Sequence, residues 1–209
     1  MPNKCVIFAA GSCFEPLPEI NDGDLVIAAD AGYKNCIAAN VEPDIAVGDW
    51  DSLEAPPLGC QTVNLPVEKD VTDTFAAIQA GIERGYDEFH ILGGTGGRID
   101  HTVANLQSLV YLSKRGKRGY LYDENSVITA ITDGRLEFSA LDGGDVGVFA
   151  ADGDAEGVTI SGLKYIAEGV TLTADFPLGV SNSFVGRAAY ISVDKGTLTV
   201  VFPKELMMR

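Results

Sequence analysis

The sequence has few basic residues. It contains 15 Lys plus Arg against 30 Asp plus Glu, so its formal net charge at pH 7 is −15. Nucleic-acid-binding domains present clustered Lys and Arg to the phosphates, and the dense basic run at 114–118 is too short to reverse this balance. The composition therefore excludes a nucleic acid as the expected partner.

Cysteines are also scarce, and long apolar runs are absent. Cys5, Cys13, Cys36 and Cys60 form no C-x-x-C pair, which argues against a zinc ribbon and against a disulfide scaffold. The apolar run at 6–10 is too short for a signal-peptide core, and no run approaches the 18 residues typical of a membrane helix. We expect a cytoplasmic protein with reduced, buried thiols and no membrane partner.

Two periodicities alternate over residues 1–124. Continuous apolar runs at 5–10, 25–29, 44–47 and 89–92 are typical of parallel strands covered on both faces. Apolar residues spaced by three and four predict amphipathic helices over 71–84 and 99–112. This alternation predicts an α/β domain with a mainly parallel sheet, and we place it at 1–124.

The helical pattern ends near residue 125, and regular turn signals follow. Short β-branched or aromatic runs separate turns at Asp133-Gly134, Asp142-Gly143, Asp152-Gly153 and Ser161-Gly162. Turns at this interval predict an all-β, sandwich-like domain, which we place at 125–209. No Pro- or Ser-rich linker separates the two domains.

Aspartates cluster where the predicted strands end and the predicted helices begin. In an open α/β sheet these points share one edge, and ligands bind there. First-turn side chains lean toward the N-terminus of their helix, which directs them to the same edge. The residues concerned are Asp30, Asp49, Asp51, Asp70, Asp73 and Asp100.

Two interpretations of these carboxylates are open. An aspartate at a helix N-cap contributes about 1 kcal/mol without any ligand, which accounts for Asp70, Asp73 or Asp100 taken singly. Asp49 and Asp51 lie two residues apart after a buried strand, where two carboxylates about 4 Å apart repel by about 4 kcal/mol at an effective dielectric constant of about 20. Mg²⁺ removes such repulsion and also binds substrate phosphates. We predict a magnesium site within this cluster of aspartates, with the Asp49 and Asp51 pair as part of it.

A glycine-rich loop follows the strand predicted at 89–92. It lacks the third glycine of the dinucleotide-binding pattern, and the chain contains no P-loop motif. Glycines allow close approach of a ligand, and Arg98 with the following helix N-terminus favours an anion. Beside an acidic metal site, this predicts polyphosphate chemistry on ATP bound as its magnesium complex, with Lys69 and Arg98 stabilising transition-state charge. The loop reads Gly93-Gly94-Thr95-Gly96-Gly97-Arg98.

Together these motifs resemble those of the thiamine pyrophosphokinase family, bacterial type. The resemblance covers nearly the whole chain, and it implies an α/β domain followed by a β-sandwich, in a homodimer with active sites between subunits. It also implies Mg²⁺-dependent transfer of diphosphate from ATP to the hydroxyl of thiamine, giving thiamine diphosphate and AMP. The segments that carry it are Asp30-Ala31-Gly32, Gly48-Asp49-Trp50-Asp51-Ser52, Lys69-Asp70-Val71-Thr72-Asp73, the loop at 93–98 continued by Ile99-Asp100-His101, and Ser181-Asn182.

The resemblance assigns roles residue by residue. Asp49, Asp51 and Asp73 match the family's magnesium-binding and catalytic carboxylates, and Asp30 and Asp100 match its further site aspartates. Gly94, Thr95, Gly96, Gly97 and Arg98 match the nucleotide side, and Ser181 and Asn182 match the thiamine-contacting stretch. The resemblance thus implies nucleotide and metal binding by residues 1–124, and thiamine binding and dimerisation by residues 125–209.

Other functions are compatible with the same residues. A pyrophosphokinase of this fold could use another alcohol, such as a hydroxymethylpterin. A metal-dependent phosphohydrolase could use Asp49 as nucleophile and Asp51 as acid, and a nucleotide or thiamine sensor could retain the pocket without turnover. In the transferase, either Asp73 or Asp100 could accept the proton of the hydroxyl.

Overall fold

The computed structural model describes residues 3–49, 59–64 and 70–208. Backbone contacts divide the chain into two units. The first contains residues 1–108 and 119–124, and the second contains 109–118 and 125–209. No helix in the described ranges is both long and apolar enough to cross a membrane.

The first unit is built on a parallel sheet. Five strands pair in parallel in the spatial order β5-β1-β2-β3-β4, and β6 neighbours β5. The central strand β1 is fully buried along its length, as expected for a strand covered on both faces. The strands are β1 (Cys5–Phe8), β2 (Leu25–Ala29), β3 (Ile45–Gly48), β4 (Gln61–Asn64), β5 (Glu88–Leu92) and β6 (Arg118–Tyr122).

Three helices follow strands of this sheet: α1 (Gly32–Ala38), α2 (Asp73–Glu83) and α3 (Ile99–Ser113). Helices α1 and α2 both contact β1 and β2. On α2 the buried side includes Ala77, Ile78 and Gly81, spaced as one helix face requires. In the chain, α1 follows β2, α2 follows β4 and α3 follows β5. The helix N-termini therefore lie at the carboxyl ends of the strands, which form the ligand-binding edge of the sheet.

The second unit is all-β. Its strands are β7 (Ser126–Thr132), β8 (Arg135–Leu141), β9 (Asp145–Ala150), β10 (Ala155–Ser161), β11 (Ala167–Leu172), β12 (Gly179–Ser183), β13 (Arg187–Ser192) and β14 (Thr197–Pro203), with a 3-10 turn at Lys204–Met207. They form antiparallel arrays in the orders β12-β9-β14-β7 and β11-β10-β13-β8.

Aromatic side chains fill the space between these two arrays. The ring of Phe138 on β8 lies 5.1 Å from that of Phe202 on β14 and 5.4 Å from that of Phe184. All three rings are buried. Edge and tilted aromatic contacts of this kind add to the apolar burial that joins the two sheets of a sandwich.

The predicted fold class is confirmed: a mainly parallel α/β sheet is followed by an all-β region. Three turn signals fall between strands, at 133–134, 142–143 and 152–153, and the fourth, at 161–162, begins with the last residue of β10. The sequence patterns did not predict α1, β4 or β6. The basic run at 114–118 follows α3, which ends at Ser113, and its last residue begins β6. The bounds 1–124 and 125–209, with the roles assigned to them, stay a prediction.

Candidate active site

A cavity of about 310 Å³ lies at the point where the strand order of the parallel sheet reverses. From β1 the chain proceeds to β2 on one side, and β5 later joins β1 on the other. The segments leaving these three strands therefore diverge around an open space, the usual binding position in a doubly wound sheet. Residues from all three segments line the cavity, including Ala9–Gly11, Asp30 and the loop after β5.

The cavity brings together six of the residues that the sequence predicted for the site. These are Asp30, Asp73, Gly94, Thr95, Gly97 and Arg98. They come from three separate segments of the chain, and the lining combines two carboxylates with one guanidinium. A site with both charges can hold a cation beside an anion, which is the requirement of a metal polyphosphate.

Asp30 has an unusual environment at the end of β2. Its backbone φ is +46°, a left-handed conformation that aspartate tolerates better than most residues. Its buried Oδ1 atom has no hydrogen-bond partner within the described chain. A buried carboxylate oxygen without a partner is costly, and a hard cation in the cavity would satisfy it. This oxygen and the second cavity carboxylate, Asp73, therefore fit Mg²⁺.

Asp73 occupies the first turn of α2 but does not cap the helix. The N-cap is Thr72, whose hydroxyl oxygen accepts a hydrogen bond from the Phe75 N–H at 3.2 Å. The interpretation of Asp73 as an N-cap is therefore wrong, because a neighbour performs that function. Asp73 lines the cavity from this position.

Arg98 and Asp100 form a bidentate ion pair at the start of α3. The Asp100 carboxylate also accepts a hydrogen bond from the His101 N–H at 3.0 Å. The hydrogen bonds from Arg98 lower the pKa of Asp100, and the same hydrogen bonds raise the pKa of Arg98. Both side chains are exposed, at 73% and 61%, so water screens their attraction.

Three predicted residues lie in the first unit but outside the cavity lining. Asp100 does not line the cavity, although its partner Arg98 does. Gly96 belongs to the glycine-rich loop and has a φ of +71°. Asp49 directly follows β3. Asp51 and Lys69 lie outside the described residues. In the described ranges, no three His, Cys, Asp or Glu side chains form a metal-ligand group. The magnesium set of Asp49, Asp51 and Asp73 includes a residue outside those ranges and stays a prediction.

Ser181 and Asn182, predicted to contact thiamine, lie on β12 of the second unit. Ser181 is exposed and has a φ of +63°. Asn182 is buried, and its amide is occupied: Oδ1 accepts from the N–H groups of Tyr165 and Ser183, and Nδ2 donates to the Tyr165 carbonyl at 2.7 Å. The amide of Asn182 therefore fixes the backbone of Tyr165.

Three further cavity residues lie on α3 and were not among the predicted site residues. His101, Thr102 and Asn105 line the cavity, and their spacing of one and three places them on one face of the helix. The apolar spacing that predicted this helix carries no information about its polar face. Asn105 is buried, with 3% exposure.

Comparisons with known proteins agree over both units. The family model "Thiamin pyrophosphokinase, catalytic domain" matches residues 18–121, and "Thiamin pyrophosphokinase, vitamin B1 binding domain" matches residues 136–198. The chain is 26% identical over 213 residues to a thiamine pyrophosphokinase of Bacillus subtilis, covering 95% of this chain and 98% of the relative.

Solved structures show the same relationship. The crystal structure of thiamine pyrophosphokinase from Bacillus subtilis matches with a TM-score of 0.83 at 25% identity, over 98% of this chain and 100% of that one. A thiamin pyrophosphokinase family protein from Enterococcus faecalis matches with a TM-score of 0.80 at 27% identity, over 97% and 99%. On the family models and these relatives together, this chain belongs to the thiamine pyrophosphokinase family.

Proposed function

We propose that this protein transfers diphosphate from ATP to the hydroxyl of thiamine, giving thiamine diphosphate and AMP. The observation that carries this proposal is the cavity at the strand-order reversal, where Asp30, Asp73 and Arg98 meet a glycine-rich loop. Membership of the thiamine pyrophosphokinase family identifies thiamine as the acceptor. It does not favour a pterin alcohol or simple phosphate hydrolysis.

The carboxylates of the cavity suit a magnesium ion that accompanies ATP. Asp30 and Asp73 would hold it together with Asp49 and Asp51, which follow β3 in the sequence. When bound, Mg²⁺ neutralises phosphate oxygens and so makes the β-phosphorus a better electrophile. The carboxylates keep the ion beside the cavity, so that an acidic protein can accept an anionic substrate.

The phosphates of ATP lie, in this proposal, against the loop at 93–97 and Arg98. The Arg98 guanidinium offers a planar pair of donors to phosphate oxygens at its Nη1 edge, which takes no part in the pair with Asp100. Because the transition state of phosphoryl transfer spreads charge over these oxygens, positioning and charge neutralisation supply most of the acceleration. Lys69 adds a second cation in the same role.

The thiamine hydroxyl loses its proton as it attacks the β-phosphorus, and AMP leaves. Asp100 lies outside the cavity lining, and both of its carboxylate oxygens accept hydrogen bonds from Arg98. Asp73 lines the cavity and is the better placed of the two carboxylates that the sequence suggested. We therefore assign the proton to Asp73.

The second unit is proposed to bind thiamine and to form the homodimer, with the active site between subunits. Ser181 contacts thiamine, and Asn182 acts by fixing the backbone of Tyr165, whose side chain is 58% exposed. Large apolar side chains on this unit are exposed and would be covered in a dimer. They are Tyr165, Ile166, Phe176, Leu178, Val180 and Val185. We also propose a cytoplasmic location.

The reaction is tested by incubating the purified protein with ATP, Mg²⁺ and thiamine and identifying the products by mass spectrometry. We expect AMP and thiamine diphosphate in equal amounts, with label from γ-³²P-ATP in the thiamine product and label from α-³²P-ATP in AMP. Omission of Mg²⁺ should abolish both products. ADP or free phosphate as the main product would reject the proposal, and phosphate trapped on Asp49 would support the phosphohydrolase.

The dimer is tested by light scattering after size exclusion. We expect twice the chain mass of 22.1 kDa. Leu178→Glu should lower the measured mass toward that of one chain, because a charge would be buried in the interface. Ile37→Glu is the matched control, since Ile37 is exposed on α1 of the other unit. A monomeric wild-type protein with full activity would refute the shared active site.

A further inference from the structure

The backbone of the glycine-rich loop is held by an unusually complete set of hydrogen bonds. Four consecutive carbonyl oxygens, those of residues 93–96, all accept. The Gly93 oxygen accepts from the Gly11 N–H at 2.7 Å, and the Thr95 oxygen accepts from the Ser12 N–H at 2.9 Å. The Gly94 oxygen accepts from Asn105 Nδ2 at 2.8 Å, and the Gly96 oxygen accepts from the Ser12 hydroxyl at 3.3 Å.

The side chain of Thr95, in the same loop, is also held by a hydrogen bond. Thr95 donates its hydroxyl hydrogen bond to Oδ1 of Asp123 at 2.6 Å, a short distance typical of a charge-assisted bond. Thr95 is 7% exposed and lines the cavity. Asp123 directly follows β6 and is absent from the cavity lining, so among the contacts of the described residues it reaches the ligand region through Thr95.

These contacts fix the loop at 93–97, which contains four glycines and one residue with a side chain, Thr95. Without anchors such a loop would sample many backbone conformations, and a ligand would have to order it on binding. Occupied carbonyl oxygens also present less negative potential to an anion. The anchored loop is therefore prepared for phosphate before the ligand arrives.

We propose that Asp123 is a positioning residue for the polyphosphate of ATP: through the Thr95 hydroxyl it holds the loop at 93–97 in its phosphate-binding conformation. This rests on the proposed function for the identity of the nucleotide. If Asp123 acted only as a negative charge near an anion, its removal would strengthen ATP binding. Because Asp123 anchors the loop through Thr95, its removal weakens ATP binding instead.

The test measures binding of Mg²⁺-ATP and of Mg²⁺-tripolyphosphate by calorimetry, with KM and kcat in parallel. For Asp123→Ala we expect about tenfold weaker binding of both ligands and a similar rise in KM for ATP, the usual effect of losing one charge-assisted hydrogen bond. The KM for thiamine and kcat should change by less than about twofold. Asp123→Asn should recover most of the affinity, because the amide oxygen still accepts from Thr95.

Two further variants keep the test independent of how Asp123→Ala folds. Thr95→Val removes the same hydrogen bond from the other side and should weaken binding equally. The double variant should be no worse than either single variant, since both remove one interaction. Glu124→Ala is the matched control: it removes an exposed acid one residue away and should leave binding of both ligands unchanged.

Several outcomes would overturn the proposal. They are tighter ATP binding by Asp123→Ala, additive effects of Asp123→Ala and Thr95→Val, or weaker binding of ATP with unchanged binding of tripolyphosphate. If Asp123→Ala lowered the Tm but left the affinity for both ligands unchanged, the role of Asp123 would be structural only. If the wild-type protein binds ATP but forms no thiamine diphosphate, the proposed function fails while the positioning role is still decided by the binding data.

Discussion

Arg98 and Asp100 are joined by two hydrogen bonds: Arg98 Nε lies 3.2 Å from Asp100 Oδ1, and Nη2 lies 2.6 Å from Oδ2. The pair uses the Nε and Nη2 donors of the guanidinium, and Nη1 takes no part in it. Arg98 lines the cavity and Asp100 does not, so Asp100 holds the guanidinium from outside. The Nη1 edge of Arg98 can therefore bind a phosphate while Asp100 orients the guanidinium.

This pairing predicts a titration that depends on Arg98. Carbon NMR of the carboxylates should give a pKa for Asp100 below the ordinary range of aspartate, because hydrogen bonds from Arg98 stabilise its ionised form. In Arg98→Ala the pKa of Asp100 should rise, while the lowered pKa of Asp24, which depends on contacts with Lys4 and Asn21, serves as control and should not move. The same pKa in both proteins would show that the ion pair does not persist in solution.

Asp73 is expected to be essential for turnover. Asp73→Asn should lower kcat/KM by at least about 100-fold and increase the Mg²⁺ concentration needed for half-maximal rate, because one anionic oxygen of the cation site is lost. Glu83→Gln, at the other end of the same helix, removes an equal charge and should behave as wild type. Circular dichroism should show the same fold in both variants.

Asp51 provides a second test of the predicted metal site. We expect Asp51→Asn to reduce turnover strongly without unfolding the protein, because the predicted magnesium site would lose one of its carboxylates. Isothermal titration with Mg²⁺-ATP measures the corresponding loss of metal affinity. Wild-type activity of this variant would remove Asp51 from the site.

The sequence predicted four of the five parallel strands, β1, β2, β3 and β5, because their runs are mainly apolar. The run at 25–29 matches β2 residue for residue, and the run at 89–92 is one residue short of β5. Strand β4 reads Gln61-Thr62-Val63-Asn64 and lacks such a run, so periodicity could not identify it. Helix α1 has only seven residues, too few for a helical repeat to be visible.

The candidate site was predicted where residue type alone carries the chemistry. Asp30, Asp73 and Arg98 were found because strand ends gather at one edge of a sheet. Asn35 was not found, although its amide donates to the carbonyls of Ala9 and Gly11 at 2.7 and 2.9 Å. Nothing in an isolated asparagine indicates which backbone it will meet, since that contact exists only after α1 packs on β1.

Gly11 is expected to tolerate no side chain. A Cβ there would clash with the carbonyl oxygens of Thr95 and Gly93, backbone atoms that accept hydrogen bonds from the N–H groups of Ser12 and of Gly11 itself. Gly11→Ala should lower the free energy of unfolding in urea by about 3 kcal/mol, at the upper end of overpacking costs. At Gly97 an added Cβ meets only the Gly11 Cα at 3.5 Å, so Gly97→Ala should change stability little. Equal free energies of unfolding for Gly11→Ala and Gly97→Ala would contradict the predicted clash at Gly11.

Asp24 should stabilise the fold in a pH-dependent way. Partial burial acts to raise its pKa, but hydrogen bonds from the Lys4 and Asn21 N–H groups, both at 2.9 Å, and the Lys4 ammonium at 3.3 Å outweigh it and lower the pKa. A carboxylate with a lowered pKa contributes its full stability above its unfolded-state pKa, about 3.9, and loses it as the pH falls through the lower folded-state value.

We therefore expect Asp24→Asn to be less stable than wild type by about 1.5 kcal/mol at pH 7, because charge-assisted hydrogen bonds are lost. The difference should shrink below about pH 4, where protonated Asp24 offers no more than the amide does. Urea unfolding across this range measures it, with Asp22→Asn as control, because Asp22 is exposed in the same loop. If the difference did not change with pH, the packing of Asp24 rather than its charge would stabilise the turn before β2, where Asp24 contacts Lys4.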